Sequence, residues 1–256
     1  MTKQIKYPME AFALAMVLFS AGMKEAMIVG IGLIFSDVLQ CVLREFSNKQ
    51  YGQTISGIGA ALTCGVIYVM CTLAGIIPEL KQVVGFAVLG LLLVKHNETK
   101  YGAEQAETDY NAILFADAIA YGVYVLFAAI REYLAGAAVF GYELAEAPVV
   151  STAFGKPMIA LVGAGLAVAL INGLLKTKSE PNAALWVCVP AILLEVPFVW
   201  NHVPELAGMA VGVVTVGVVY LTLRKKLAFA DTDNHLEGIP VEMVMLGIVY
   251  MIFSLL

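Results

Sequence analysis

Nine times along its length this sequence returns to an apolar stretch nearly free of charge, and the longer stretches reach the length at which a helix crosses a bilayer. Hydrocarbon offers no water to backbone polar groups, so a spanning segment must satisfy them within the protein. The expected fold is an all-α polytopic membrane protein with about nine membrane segments. They cover residues 11–22, 26–43, 54–77, 83–94, 112–130, 157–175, 184–200, 206–223 and 241–256. The first and fourth are short, which suggests half-helices or re-entrant elements. Composition agrees: of 256 residues 61% are hydrophobic and 14% charged, and the mean hydropathy is +0.86.

Lysine and arginine accumulate in short loops on the cytoplasmic side. With the N-terminus inside, Lys3, Lys6, Arg44, Lys49, Lys95, Lys100, Lys176, Lys178, Arg224, Lys225 and Lys226 fall inside. Lys24, Lys81, Arg131 and Lys156 fall outside, so the division is eleven against four. The expected location is a bacterial cytoplasmic (inner) membrane, with the N-terminus cytoplasmic. A competing reading takes Lys3, Lys6 and the following apolar run as a secretory signal ending near Ser20-Ala21-Gly22. The formal net charge of −5 says little about partners, because the acids lie mainly in loops. No basic stripe points to nucleic acid. The longest polar stretches, residues 95–109 and 224–237, are too short to bury a core. No nucleophile–base pair or cofactor fingerprint marks an enzyme.

Inverted-repeat membrane proteins carry a short or interrupted segment at matching places in two halves. Here a short segment precedes two full ones twice, in residues 8–77 and 82–176, and three segments per unit make the units face opposite ways. Residues 1–178 are read as this repeat domain and 179–256 as an additional three-helix extension. A charged side chain in hydrocarbon costs about 3 kcal/mol on insertion scales and tends to line a site or a polar interface. Asp37, with Gln40 nearby, lies in the second segment, and Asp117 in the fifth, the matching member of the other half. Two carboxylates brought together can share a proton or Na⁺, either of which removes their repulsion. The alternative is two protonated acids hydrogen-bonded to neighbouring helices. Glu195 lies between Pro190 and Pro197 in the seventh segment. Carbonyls freed by the prolines could join it in an ion site, or the prolines simply kink a packed helix.

Cys41, Cys64, Cys71 and Cys188 equal the number that holds one iron–sulfur cluster. Cys64 and Cys71, however, stand about 10 Å apart along one helix. No C-x-x-C pair suits zinc or redox chemistry, so buried apolar thiols are expected. His96, His202 and His235 are scattered over different loops, and no metal site is expected. Gly208-x-x-x-Gly212 and the run Gly163, Ala164, Gly165 and Ala167 predict close helix packing. Pro8-Met9-Glu10 and Pro240-Val241-Glu242 read as helix starts.

One stretch is more specific: "YGVYVLFAAIREYLAGAAVFGYEL", then "STAFGKPMIALVGAGLAVALI". Its Tyr121, Gly122, Val125, Leu126, Arg131, Glu132, Gly136, Phe140 and Gly141 fit a "YGxVL…REL.GSG.LFG" pattern followed by an apolar span. In this the chain resembles the small paralogous membrane subunits of the Rnf and Nqr ion-translocating electron-transport complexes, over residues 11–175. The resemblance implies a subunit that sits among other membrane subunits of a redox complex and couples electron transfer to Na⁺ or H⁺ movement. In that family each short half-helix gives a cysteine to a [2Fe-2S] cluster shared with a paired subunit. Here Ser20, Ala21 and Gly22 stand where the first cysteine would be. "GLLLVKH", Gly90 to His96, corresponds to the family's "GLIITNC" and puts His96 at the second position. No cofactor is therefore expected on this chain.

Asp37 and Asp117 occupy positions where relatives often carry Asn, which shifts the expectation toward ion handling. Arg131 and Glu132 are read in two ways. They are interfacial charges closing a helix, with the Arg on its C-terminal dipole, or they fasten the outer loop 133–155 to a neighbouring subunit, where Gly136 and Gly141 permit tight turns. Two functions stay open. One is a noncatalytic structural or ion-conducting subunit of an Rnf/Nqr-like complex. The other is a stand-alone secondary transporter on the inverted-repeat scaffold, using Asp37 and Asp117 for coupling.

Overall fold

The computed structural model describes residues 6–45, 52–101, 109–144, 149–180, 182–196, 204–226 and 236–255. Within them the chain forms nine helices: α1 Met9–Leu18, α2 Met23–Glu45, α3 Gly52–Leu73, α4 Leu80–Tyr101, α5 Tyr110–Gly136, α6 Pro157–Leu175, α7 Ala183–Glu195, α8 Glu205–Lys226 and α9 Ile239–Phe253. Six of these, α2 to α6 and α8, are long and apolar enough to cross a membrane, while α1, α7 and α9 are shorter apolar helices. A small hairpin, β1 Ala138–Val139 and β2 Tyr142–Glu143, follows α5. Lys3, Pro197, His202 and His235 lie outside the described residues.

The short helices are the first, seventh and ninth, not the first and fourth. The fourth segment, expected to end just before Lys95, is instead a helix of 22 residues in all that reaches Tyr101. Its polar end finds partners inside the protein. Lys95 Nζ donates to both oxygens of Glu10 at 2.5 and 2.8 Å, and Asn97 Nδ2 donates to Asp37 Oδ1 at 2.9 Å. A polar residue with a buried partner does not need to leave the helix. The periodicity ran on as well: Phe86, Leu89, Gly90, Leu93 and Asn97 recur at three- and four-residue steps and all are buried.

α1 is apolar on every side, which suits a helix enclosed by others. It packs against α2, α4, α5, α6 and α7, and from Phe12 to Met16 no side chain has exposed surface. Being only ten residues long, it ends inside the protein, where its last carbonyls need donors. Tyr124 Oη supplies one, donating to Phe19 O at 3.0 Å and Ala15 O at 3.2 Å, and the Ser20 hydroxyl bonds Met16 O.

Side-chain contacts fix the helix directions. α2 is antiparallel to α5: Met23 N donates to Glu132 Oε2 at 2.7 Å, and Gly30 faces the rings of Tyr121 and Tyr124. α1 is antiparallel to α4, with Glu10 at Lys95 and Leu18 and Phe19 at Gly85. α3 runs against both α2 and α4, placing Gly59 at Gln40, Ile67 at Gly32 and Ala60 at Gly90. α6 is antiparallel to α5 through Gly163 and Phe127. α9 in turn is antiparallel to α6, where Gly165 meets Pro240 and Gly247 meets Met158. α8 returns along α7, with Gly212 at Ile192 and Tyr220 at Asn182. Consecutive helices therefore alternate in direction. Odd-numbered ones point to the end of the bundle that holds Arg131, even-numbered ones to the end nearer Asp37. Within the expected extension, α7 packs on α1 and α9 on α6.

Of the two small-residue patterns, the one in α6 lies at close contacts, while in α8 Gly212 closes on Ile192 and Gly208 has open space around it. The tightest backbone approach is elsewhere. A Cβ on Gly90 would lie 2.6 Å from the Ala60 carbonyl oxygen and 3.1 Å from its Cα, backbone atoms that cannot rotate aside. Gly90→Ala is expected to push α3 off α4 and destabilise by about 1–3 kcal/mol. Thermal melting in detergent reads this, and Gly57→Ala, which meets nothing within 4 Å, is the control that should not lower it.

Candidate functional site

The antiparallel contact of α2 with α5 sets the depth of the two aspartates. Asp37 lies seven residues beyond Gly30; Asp117 lies seven residues before Tyr124 and four before Tyr121, which is the same direction along the antiparallel partner. At 1.5 Å per residue the two carboxyls stand within about 5 Å of one level. Steps of four and seven residues also keep them on the helix faces that meet at Gly30 and Tyr124. Both are enclosed, Asp37 with 1% and Asp117 with 0% of its surface exposed. Asp37 falls past the midpoint of α2 and Asp117 before that of α5, so the pair lies toward one end of the bundle and not at its centre.

Around Asp37 the polar atoms form one network. Asn97, on α4, donates from Nδ2 to Asp37 Oδ1 at 2.9 Å and to Gln40 Oε1 at 3.4 Å. Gln40 Nε2 donates to Thr63 Oγ1 at 2.8 Å and to Gly59 O at 3.4 Å, both on α3. The Cys41 thiol donates to Asn97 Oδ1 at 3.5 Å, and the Arg44 guanidinium donates to the Asn97 carbonyl. Asp37, Gln40, Cys41, Thr63 and Asn97 are all buried. The neutral Asn97 amide, itself held by Gln40, thus keeps one oxygen of Asp37 in place. Two carboxylates at one level in a low dielectric cannot both carry bare charge, and a proton or a monovalent cation relieves them. Beside them the Ser36 hydroxyl oxygen is buried with no hydrogen-bond partner among the described residues.

Gln40 is thus joined to Asp37, but Glu195 is not. It closes α7 at the opposite end of the bundle, 3.7 Å from Lys81 Nζ. His96 belongs to neither group: it lines a cleft at the Asp37 end together with Glu10 and Lys95. Ser20 and His96, the positions that the resemblance pairs, therefore stand toward opposite ends of α1.

Arg131 and Glu132 are engaged within the chain. Arg131 is 4% exposed. Its guanidinium donates to Ser20 Oγ at 2.7 Å, Phe154 O at 2.9 Å, Gly155 O at 2.8 Å and Lys156 O at 3.4 Å. It fastens the exit of α1 to the turn that starts α6. Glu132 accepts from Met23 N at the start of α2 and from Gly141 N at 3.4 Å. Gly136 stays helical; the left-handed residue ending α5 is Ala137, with φ of 53°. The turn of the hairpin is Phe140-Gly141, with φ of 59° and 77°, a two-residue loop in which both residues are left-handed. Gly141 accepts that conformation freely, whereas Phe140 is a bulky residue held there by the hairpin. Its side chain is exposed.

Sequence reasoning overlooked Asn97, Thr63 and Tyr124. The buried stripe of α4 pointed at Asn97, and the four-residue step from Ala120 pointed at Tyr124. Nothing in the sequence alone marks Thr63. The four cysteines lie apart, Cys41 on α2, Cys64 and Cys71 on α3 and Cys188 on α7, and all are free thiols. The chain matches no protein-family model, no curated protein and no solved structure.

Proposed function

We propose that this chain is an integral membrane subunit of an electron-transport-coupled, ion-translocating complex of the Rnf/Nqr kind. Its scaffold is a pair of inverted three-helix repeats, α1–α3 and α4–α6, and it handles Na⁺ or H⁺ at Asp37 and Asp117. The reading is supported above all by the pattern of helix pairs. α1 lies on α4, α2 on α5, α3 on α2 and α4, and α6 on α5 and α1. Exchanging α1 with α4, α2 with α5 and α3 with α6 maps these pairs onto themselves, as a two-fold axis in the membrane plane requires, though the packing of α1 on α2 has no counterpart of like extent between α4 and α5. The self-exchanging pairs α1/α4 and α2/α5 are antiparallel, which the same axis demands. The repeat is one of topology more than of length, since α4 outreaches α1.

Charge supports a cytoplasmic membrane with the N-terminus inside. Lys6, Arg44, Lys95, Lys176, Lys178, Arg224 and Lys225 gather at the Asp37 end, against Lys24, Lys81, Arg131 and Lys156 at the other. The Asp37 end is then cytoplasmic. A stand-alone secondary transporter is the second reading, and it draws on one observation: the aspartates are enclosed by helices of this chain alone.

Copurification separates the two. Expressed with its neighbouring genes and drawn out by an affinity tag in mild detergent, the chain should bring flavin- or iron-bearing membrane proteins in fixed ratio, visible by their absorption. A colourless protein that emerges by itself and drives Na⁺ or H⁺ flux in liposomes unaided would replace the first reading with the second.

A further inference from the structure

At the Asp37 end the start of α1, the last turns of α4 and the link from α6 to α7 enclose a cleft of about 450 Å³, counting the part open to solvent. Its charges alternate in sign. At the mouth Lys6 Nζ meets Glu180 Oε1 at 3.3 Å, with roughly half of each side chain exposed (48% and 41%). Deeper in, Glu10 and Lys95 pair at 2.5 Å with 11% and 30% exposed. Lys178 lines the same cleft. Lys95 Nζ also lies 4.9 Å over the ring of Trp186, a half-exposed residue of α7. An exposed indole beside a row of charges is the arrangement found at the headgroup level of a bilayer.

A simple anion entering this cleft meets Glu10 and Glu180, and a simple cation meets three lysines. A molecule carrying both charges a few ångströms apart satisfies both sets. We propose that the cleft is a headgroup site for an ethanolamine phospholipid. Its phosphate lies against Lys6 and Lys178, and its primary ammonium against Glu180 at the mouth. A primary ammonium donates three hydrogen bonds that a carboxylate accepts, whereas a quaternary choline donates none. Position chooses the lipid over a soluble phosphoethanolamine, because Lys95 of the cleft reaches the half-exposed Trp186, and an indole in that setting marks the headgroup level. The site rests on the membrane reading and not on membership of a redox complex.

The test uses the full chain in nanodiscs made from equal parts of phosphatidylethanolamine, phosphatidylcholine and phosphatidylglycerol lipids, extracted in mild detergent and weighed intact by native mass spectrometry. Retained lipid should be enriched in the ethanolamine class by about tenfold over choline, the scale of one charge-assisted hydrogen bond. Glu180→Gln, a change at an exposed rim that leaves the Glu10–Lys95 pair in place, should bring that ratio close to one. Equal retention of ethanolamine and choline lipids would overturn the assignment, as would preference for the anionic glycerol lipid over both, which describes a plain cationic surface. Soluble O-phosphoethanolamine displacing the lipid at matched concentration would overturn the lipid as the source.

Discussion

Arg131→Ala is expected to lower thermal stability in detergent more than any other truncation at its end of the bundle. The guanidinium holds one hydroxyl and three backbone carbonyls from two segments, residues 20 and 154–156. Its charge is spread over the dipoles of those three carbonyls. Each polar group left without a partner costs about 1–3 kcal/mol when buried. Gly155 is exposed, so water compensates there, but Ser20 is enclosed. The net loss should be about 3 kcal/mol, the lower part of the range for breaking a buried charged network. Arg131→Lys keeps the charge but not the planar fork that reaches two segments at once, and should lose a large share of that amount. Ser20→Ala removes two hydrogen bonds, the one from Arg131 and the one to Met16 O, and should cost about 1–2 kcal/mol. Hydrogen exchange should quicken at residues 18–23 and 152–157 in the alanine variant and stay slow elsewhere. If the variant melts with the parent protein and exchanges like it, Arg131 is not the fastener between α1 and α6.

This fastening also shows what a sequence of this kind displays and what it hides. Lipid imposes its demand on whole segments, so α2, α3, α5, α6 and α8 could be placed from apolar length, with ends off by a few residues. Polar residues near a helix end carry no such mark. Lys95, His96 and Asn97 looked like the start of a loop because their partners, Glu10 and Asp37, are distant in the chain. Arg131 read as an interfacial charge or docking group because its partners are mostly backbone carbonyls, which have no signature in sequence. Phe140 in a left-handed turn could not be foreseen, since aromatic residues seldom adopt that conformation. The aspartates were conspicuous as charges in apolar segments, yet their common depth is a matter of helix register. Register is set where Gly30 admits the rings of Tyr121 and Tyr124, and a glycine in an apolar run does not say which ring it will meet.

That register makes the second large prediction specific. Asp37→Asn and Asp117→Asn together should abolish cation-dependent flux, measured in proteoliposomes with whichever complex or lone chain copurification has identified. The exchange is nearly isosteric. Asn at position 37 can still accept from Asn97 Nδ2 through its own carbonyl oxygen, so the protein should fold and melt normally. What goes is the negative charge. Loss of one partner of a buried charged contact costs about 3 kcal/mol or more, so cation affinity should fall by about 100-fold. If one proton or ion is shared, either single change should do nearly all the damage and the double little more, because groups acting as a unit are not additive. Glu195→Gln tests the geometry from the other side. Glu195 stands at the far end of the bundle against Lys81, so its neutralisation should leave affinity at the aspartates where it was. Undiminished flux in the double variant would remove the aspartates from any part in transport. A loss with Glu195→Gln equal to that with Asp37→Asn would mean that the two ends of the bundle share one ion path, and that α2 and α5 hold only part of it.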